Sequence, residues 1–271
     1  MWFDTHCHLD AQEFDHDRAQ VIDRAKQAGL SGVLVPAVAA KDFEILPSKV
    51  DGYAIELPHA CFTLGIHPLY TLDAKESDIL SLEKVIQREL NNPRFVGVGE
   101  IGLDYFVDYL DNAKQEWFFE EQLKLANHYE LPVILHVRRS QDQILKRLRQ
   151  FKLTGGIAHA FNGSMVQANE FLKFNMKLGF GGAMTYDRAL QIRRLGKELP
   201  LESFLLETDS PDIPPAWLTD KSDRRNEPSH LVGIAEVMAT LRGVSKEEVS
   251  RQVERSLLEV IPRLTQLIKK I

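Results

Sequence analysis

Apolar runs alternate with amphipathic stretches along almost the whole chain, and this alternation limits the possible folds more than any other feature. Strands joined in this way are parallel, because a crossover helix returns the chain to the same end of the sheet. The apolar runs with the character of strands cover residues 1–8, 32–38, 60–67, 94–100, 132–137, 155–160, 177–183 and 203–208. Eight such units in 271 residues fit a (β/α)8 barrel, for which about 250 residues is typical. We therefore predict an α/β fold of the TIM-barrel type.

Helix-like segments separate these strands, and Gly or Pro marks several of their ends. Clear examples are Asp17–Ala28, Asp78–Leu90, Ala113–Tyr129, Gln141–Phe151 and Met165–Phe174. A Pro-rich charged loop at 210–228 follows the last strand, and two further helical stretches are predicted near 229–242 and 245–270. No linker composition or low-complexity tract interrupts the pattern. We expect residues 1–271 to form a single TIM-barrel domain.

Two histidines stand close together near the start of the chain, in the run Asp4-Thr-His6-Cys-His8. Alternation along a strand places His6 and His8 on one face. Neutral imidazole binds zinc, manganese, iron or nickel, and a pair on a rigid strand can chelate one ion. The pair alone is weak evidence for a metal site, because two histidines near a strand end are more often ordinary polar residues.

Further potential ligands stand at the ends of other predicted strands. The runs FVGVGE, PVILH, GGIAH and FLLETD end at Glu100, His136, His159 and Asp209. The carboxyl ends of barrel strands gather at one mouth, where the active sites of this architecture lie. A single His or Asp at a strand end usually has a structural role. If all six residues had only such roles, their position at the same end of five strands would be a coincidence. The sequence therefore predicts six metal ligands: His6, His8, Glu100, His136, His159 and Asp209.

Four histidines and two carboxylates are more than one tetrahedral ion needs. We therefore predict two divalent metal ions, of zinc, magnesium or manganese, that share Glu100 as a bridging carboxylate. Two ions about 3.5–4 Å apart can clamp the attacking and leaving oxygens of a displacement, which indicates hydrolysis. Asp209 is expected to orient or deprotonate the nucleophilic water in addition to binding metal. Glu100 and Asp209 are thus the predicted catalytic residues.

The charge and hydropathy of the chain bear on its partners and location. A formal net charge of −6 argues against broad coating of nucleic acid, which relies on a basic face. It does not exclude a nuclease, because bound metal supplies positive charge and the clusters Arg138–Arg139 and Lys221–Arg225 can receive phosphates. Without a credible signal peptide or a long uncharged apolar run, we expect a cytoplasmic protein with no membrane association and no obligate protein partner.

Several other residues are candidates for contact with substrate or for a structural role. His67 ends the third strand and is predicted to contact a phosphate, with a structural role beside Pro68 as the alternative. Arg138 is predicted to bind substrate, because arginine pairs bidentately with phosphate. Asp104 is expected to cap or orient a loop.

The loop at 210–228 contains further candidates, and Tyr186 precedes it. Asn226 and Glu227 are expected to anchor the loop that follows Asp209. Trp217 and Tyr186 are weak candidates for stacking on a base, because one aromatic residue per loop is poor evidence for a nucleic-acid platform.

Taken together, the motifs resemble the TatD family of metal-dependent hydrolases, within the amidohydrolase-like TIM barrels. The blocks that carry the resemblance are Asp4–Asp10 (DTHCHLD), Gly65–Pro68 (GIHP), Gly97–Tyr105 (GVGEIGLDY), Pro132–His136 (PVILH), His159–Ser164 (HAFNGS), Leu206–Pro211 (LETDSP) and Arg225–Pro228 (RNEP). The resemblance implies the same six metal residues and a divalent-metal hydrolase, with several members acting as deoxyribonucleases that trim DNA from the 3′ end. It also implies that Glu100 occupies the bridging position held in many amidohydrolases by a carboxylated lysine.

Two blocks depart from the family pattern without removing a ligand. His159 is followed by Ala-Phe-Asn-Gly where Cys-Phe-Ser-Gly is common, and His136 by Val-Arg-Arg-Ser where Ser-Arg-Asp-Ala is usual. Both changes alter pocket walls and so affect the substrate more than the metal chemistry. The predicted function is 3′ to 5′ hydrolysis of phosphoester bonds in DNA. The alternatives are a hydrolase of a small phosphoester, amide or lactone, and a non-catalytic metal-binding scaffold.

Overall fold

The computed structural model of the protein describes residues 2–219 and 224–268. Within them, eight parallel strands form one sheet in the order β1 to β8. The strands are β1 Trp2–Asp4, β2 Leu30–Pro36, β3 Cys61–Leu64, β4 Phe95–Asp104, β5 Val133–Arg138, β6 Gly156–Ala158, β7 Met176–Phe180 and β8 Phe204–Leu206. At the ends of the sheet, Thr5 donates from its backbone N–H to Leu206 O at 3.2 Å and so joins β1 to β8. The predicted (β/α)8 barrel is confirmed.

Helices connect successive strands and cover the outside of the barrel. Those of the described ranges are α1 Arg18–Gln27, α2 Leu46–Tyr53, α3 Glu76–Glu89, α4 Asn112–His128, α5 Gln141–Leu148, α6 Met165–Lys173, α7 Leu190–Glu198, α8 Leu231–Arg242, α9 Lys246–Val260 and α10 Thr265–Ile268. Among residues 2–219 and 224–268, every helix is too short or too polar to cross a bilayer.

Local chemistry explains where several of these helices begin and end. Helix α6 starts with a reciprocal cap, because Ser164 Oγ accepts from Gln167 N at 3.2 Å and Gln167 Oε1 accepts from Ser164 N at 2.9 Å. Helix α8 ends at Gly243, whose φ of 67° is left-handed and costs glycine little. The helical stretch predicted over 245–270 is wrong as one helix. It breaks after Val260, because Pro262 cannot continue the hydrogen-bonded ladder.

The β4 strand is longer than its predicted range and carries an irregularity at the position that matters most for the site. Between Val98 and Ile101 it advances three residues while its β5 partners, Val133 and Leu135, advance two. The extra residue is a β-bulge, a feature that re-aims side chains near active sites. Glu100 lies within it, and its backbone N–H donates instead to Ala37 O at 3.0 Å. The strand then runs on to Asp104.

Phenylalanine side chains account for most of the large, fully buried groups in the core. Phe62 of β3 and Phe95 of β4 are fully buried with ring centroids 5.7 Å apart. Strands of a parallel barrel are buried on both faces, so their runs are apolar almost throughout. This packing fixes the strands rigidly and therefore fixes the side chains that leave their carboxyl ends.

We expect Phe62→Ala to lower the free energy of unfolding by about 3–5 kcal/mol, because the surrounding strands cannot collapse into the cavity. The melting temperature should fall by roughly 10 °C, measured by circular dichroism. The control is Leu80→Ala, since Leu80 on α3 is 61% exposed and its loss should cost no more than about 0.5 kcal/mol. Equal losses in the two variants would contradict the assignment of Phe62 to the core.

Candidate metal centre

The predicted ligands converge at the carboxyl-terminal mouth of the barrel, beside an open cleft of about 1370 Å³. Glu100 and His136 lie within β4 and β5, while His159 follows β6 directly. The loops after β1 and β8 carry the remaining ligands, which are His6, His8 and Asp209. The structure therefore brings all six residues of the predicted set into one cluster, although their binding of metal stays a prediction.

Glu100 is the centre of this cluster, and its two carboxylate oxygens face two different groups of imidazoles. On one side, Oε2 lies 3.0 Å from His6 Nε2 and 3.5 Å from His8 Nε2. On the other side, Oε1 lies 2.9 Å from His136 Nδ1 and 3.3 Å from His159 Nε2. The carboxylate is almost completely buried. This arrangement suits a carboxylate that is shared between two ions, one on each side.

Asp209 joins the side of the cluster that contains the first two histidines. Its Oδ1 lies 3.6 Å from both His6 Nε2 and His8 Nε2. The residue has a left-handed backbone with φ of 56°, a conformation that Asp tolerates better than most residues. Its backbone N–H donates to His6 O at 2.9 Å. The loop after β8 is thereby tied to the loop after β1, which fixes the carboxylate beside the two imidazoles.

Asp104 orients His136 as well as a loop. Its Oδ1 accepts from the backbone N–H groups of Phe106 at 2.9 Å and Val107 at 3.2 Å, as the capping prediction requires. Its Oδ2 lies 3.0 Å from His136 Nε2. A proton on Nε2, donated to this carboxylate, leaves the Nδ1 lone pair facing Glu100 and the centre. Carboxylate–histidine pairs of this kind fix the orientation of metal-binding imidazoles.

His67 lies inside the cluster and contacts two of the predicted ligands. Its Nε2 is 3.2 Å from Glu100 Oε1 and 3.0 Å from His136 Nδ1. Its Nδ1 accepts from the backbone N–H of Leu69 at 3.1 Å, so the proton of the neutral ring is on Nε2. Burial lowers the pKa of His67 to about 4, which keeps the ring neutral. His67 therefore points an N–H donor at the centre, and its contact with substrate stays a prediction.

Glu207 is a buried carboxylate of the site that the sequence prediction missed. Its Oε1 accepts from the backbone N–H of Ala160 at 2.5 Å and lies 3.3 Å from His159 Nδ1. Gly179 makes room for it, because a Cβ there would lie 2.1 Å from Glu207 Oε2. A signal was present in the sequence: Glu207 directly follows the apolar run of β8 and stands two residues before Asp209, the spacing that places alternate side chains on one face.

The donor groups present fit divalent metal ions. Ligand atoms of His6, His8 and Glu100 lie within 4.8 Å of one another, as do those of two further groups, His6–His159–Glu207 and His67–Glu100–His136. The nitrogens of His6, His8 and His159 that face Glu100 are all Nε2, at 3.0–3.5 Å from its oxygens. Imidazole with carboxylate is a donor set that zinc and manganese accept.

Electrostatics in the cluster favour an ionised carboxylate at its centre. Burial favours the neutral acid, but His67, His6 and His159 together hold the pKa of Glu100 well below its usual range. Burial also opposes protonation of His8, yet its hydrogen bond to Glu100 and the charges of Glu100 and Asp209 raise its pKa to about 9. Burial raises the pKa of Asp209 to about 6 against the opposing effect of His159 and His8. Glu100 therefore keeps its negative charge to a lower pH than Asp209 does.

The segment after β8 is anchored as the sequence predicted. Asn226 Nδ2 donates to the carbonyl oxygens of Thr208 at 2.8 Å and Asp212 at 3.0 Å. Glu227 accepts two hydrogen bonds from the Arg24 Nε at 3.0 Å and one from its Nη2 at 2.7 Å. These contacts tie the loop to α1. Residues 221–223 of the basic cluster Lys221–Arg225 lie outside the described residues.

The remaining candidates differ in their position relative to the cleft. Arg138 lines it, with its side chain 49% exposed and Nη1 3.8 Å from Asp104 Oδ2. Tyr186 donates from its hydroxyl to Pro214 O at 3.0 Å, and Trp217 packs against Gly233 of α8. Neither aromatic residue is among the described residues that line the cleft. The weak suggestion that these two stack on a base gains no support from their positions.

Comparison with known proteins identifies the family. The profile of the TatD-related DNase family matches residues 3–261 of the chain. The chain belongs to this family. The resemblance inferred from the motifs is therefore confirmed, and with it the assignment to metal-dependent hydrolases.

Relatives in the TatD family include an uncharacterised hydrolase and a named exonuclease. YjjV of Escherichia coli, an uncharacterised metal-dependent hydrolase, is 38% identical over 92% of this chain and 93% of its own. Its crystal structure superposes with a TM-score of 0.87, covering 96% of this chain and 98% of that one. The 3′–5′ ssDNA/RNA exonuclease TatD of Erwinia billingiae is 31% identical over 93% of this chain and 95% of its own.

The ion pair between Asp17 and Arg225 predicts a pH dependence of stability. Arg225 donates to both Asp17 oxygens at 2.7 and 2.6 Å and so holds the pKa of Asp17 at about 2. A depressed carboxyl pKa contributes stability above the unfolded value of about 3.9, which is lost as the pH falls toward 2.

We therefore expect Asp17→Asn to lower the free energy of unfolding by about 1 kcal/mol at pH 6 and by about half as much at pH 3. Urea unfolding at the two pH values measures the difference. Asp187→Asn is the control, because Asp187 is 99% exposed and should have a small effect at both. A constant loss at pH 6 and pH 3 would contradict this role of Asp17.

Proposed function

We propose that this TatD-family hydrolase uses two divalent metal ions to remove nucleotides from the 3′ end of single-stranded DNA or RNA, within one domain formed by residues 1–271. The observation that carries the metal chemistry is the division of imidazoles between the two oxygens of Glu100. The family membership and the exonuclease relative support a nucleic-acid substrate. The cluster opens onto a cleft of about 1370 Å³.

The predicted ligands would form two sets that share Glu100. His6 and His8 would hold one ion together with Glu100, and His136 and His159 would hold the other together with Glu100. Two bound divalent ions supply positive charge that polarises a phosphoryl oxygen and lowers the pKa of water. The barrel contributes a rigid frame, because each imidazole leaves a strand end or the residues directly after it.

Asp209 is the carboxylate best positioned to orient and deprotonate an attacking water. It lines the cleft and its side chain is 13% exposed, whereas the carboxylates of Glu100 and Glu207 are almost fully buried. Among these three carboxylates, Asp209 is therefore the most open to a water that enters from the cleft. General bases act within hydrogen-bond reach of the proton they remove, and a water held beside Asp209 would meet that condition.

Two further groups would hold the substrate. His67 carries its proton on Nε2, directed at the centre, and can donate it to a phosphate oxygen. Arg138 presents an exposed guanidinium to the same cleft, in a form suited to bidentate contact with phosphate. These contacts would position the scissile phosphate, while Glu100 and Asp209 act at the reacting atoms.

The experiment that tests the proposed function is cleavage of single-stranded DNA labelled at its 5′ end. Protein stripped of metal is supplied with Mg²⁺, Mn²⁺ or Zn²⁺ and compared with Asp209→Ala. We expect a ladder that shortens from the 3′ end, depends on metal and is absent in the variant. Intact DNA and RNA with every metal, together with turnover of a small chromogenic diester, would overturn the nuclease function and favour a small-molecule hydrolase.

A second prediction separates metal binding from substrate binding. Glu100→Ala should reduce both the metal content and the hydrolysis rate, the rate by more than about 100-fold, because even partners of metal ligands cost 10–100-fold when lost. Arg138→Ala should leave the metal content unchanged and raise KM about tenfold, as expected for loss of one charged hydrogen-bonding group. Metal analysis by mass spectrometry and steady-state kinetics measure both effects. Two bound metals and full activity in Glu100→Ala would contradict the bridging assignment.

A further inference from the structure

An aromatic ring and two guanidinium groups form a compact stack on the rim of the cleft. Phe106, in the loop after β4, is 44% exposed. The guanidinium carbon of Arg138 lies 3.9 Å from the centroid of this ring, and that of Arg139 lies 4.6 Å from it. All three residues line the cleft. We call Phe106, Arg138 and Arg139 the rim stack.

The rim stack is connected directly to the candidate metal centre. Arg138 Nη1 lies 3.8 Å from Asp104 Oδ2, and the same oxygen lies 3.0 Å from His136 Nε2. The loop that carries Phe106 is held by Asp104 Oδ1, which accepts from the Phe106 N–H at 2.9 Å. A group bound on the rim stack would therefore lie beside the predicted site of hydrolysis.

In the described part of the chain, few carboxylates lie near the guanidinium groups of the rim stack to balance their positive charge. Asp104 is the nearest acid to Arg138, and its carboxylate already accepts from Phe106 and Val107 and contacts His136. Within residues 2–219 and 224–268, no carboxylate lies within 4.0 Å of the Arg139 guanidinium. Two adjacent cations whose hydrogen-bond donors face a cleft form a site for an anion.

A second aromatic–cation pair also lines the cleft. Tyr70 is 42% exposed, and Lys41 Nζ lies 6.0 Å from the centroid of its ring. The Tyr70 ring lies 6.2 Å from that of His67, which contacts His136. The cleft therefore has exposed aromatic surface beside positive charge at two places. Grooves that bind single-stranded nucleic acid combine these two features.

We propose that the rim stack is a subsite that binds one nucleobase and its adjacent phosphate in a single-stranded substrate. The inference deepens the proposed function and rests on it, because a nucleic-acid strand must reach the cleft. The phenyl and guanidinium faces stack on the base, and the guanidinium N–H groups bind the phosphate. Bases in a duplex are paired and stacked on each other, so this subsite selects single strands.

The test compares the affinity of the full-length protein for two fluorescent strands by anisotropy. One is a thymidine pentamer with phosphorothioate linkages that slow hydrolysis, and the other is the same backbone without bases. Phe106→Ala should weaken binding of the thymidine strand by about tenfold or more and that of the abasic strand by less than about twofold. Arg139→Gln should weaken binding of both strands and reduce the slope of log affinity against log salt by about 0.7.

Matched controls separate the subsite from general effects of substitution. Tyr109→Ala removes a 74% exposed aromatic residue near Phe106 that does not line the cleft. Arg194→Gln removes an exposed arginine that pairs with Glu198 on α7. Both should leave the affinity for either strand unchanged. Phe106→Trp should retain the affinity for the thymidine strand. Because this variant keeps an aromatic ring, it tests the subsite even if Phe106→Ala does not fold.

The possible outcomes either support or overturn the subsite. The subsite would be overturned if Phe106→Ala changed the affinity for the thymidine strand by less than twofold, or if it weakened binding of both strands equally. Loss of affinity for the thymidine strand in Phe106→Trp would also overturn it. So would failure of the unmodified protein to bind the thymidine strand. Base-dependent binding by the unmodified protein, without cleavage of the ordinary DNA strand or of its RNA counterpart with any metal, would refute the proposed function and leave the subsite standing.

Discussion

The buried carboxylate of Glu100 is the constraint on which the rest of the site depends. An isolated ionised carboxylate in a protein interior is very costly unless opposite charges or donors surround it. Here its two oxygens contact imidazoles on both sides, at 2.9–3.5 Å. Those imidazoles come from four strands or the loops directly after them, so only a closed barrel brings them together. The closed barrel therefore supplies the imidazoles that stabilise the charge of Glu100.

A layer of buried polar groups behind the ligands holds them in position. Asp4 accepts from Thr208 Oγ1 at 2.6 Å, from Thr208 N at 3.0 Å and from His6 N at 3.3 Å, which joins the ends of β1 and β8. Asp104 does the same for His136 and for the loop that carries Phe106. Hydrogen-bonded partners of this kind orient metal ligands and tune their basicity. The same groups therefore hold both the side chains of the centre and the loops around the cleft.

The sequence was sufficient to predict the barrel and the convergence of the six candidate ligands, because period-two alternation and strand ends are local features. It could not reveal the β-bulge at Glu100, since that depends on the register between β4 and β5. Glu207 was missed because its role needs the space left by Gly179 on the neighbouring strand. Phe106 gave no signal beyond one exposed aromatic residue, and only the folded chain brings it against Arg138 and Arg139. Features that depend on long-range packing therefore could not be predicted from local sequence patterns.

Electron paramagnetic resonance of the Mn²⁺-loaded protein can show whether Glu100 bridges two metal ions. Two Mn²⁺ ions joined by a carboxylate are magnetically coupled, so we expect an exchange-coupled spectrum at saturation, with two ions bound per chain. A spectrum of one isolated Mn²⁺ ion at saturation, or of two ions without coupling, would contradict the bridging role of Glu100.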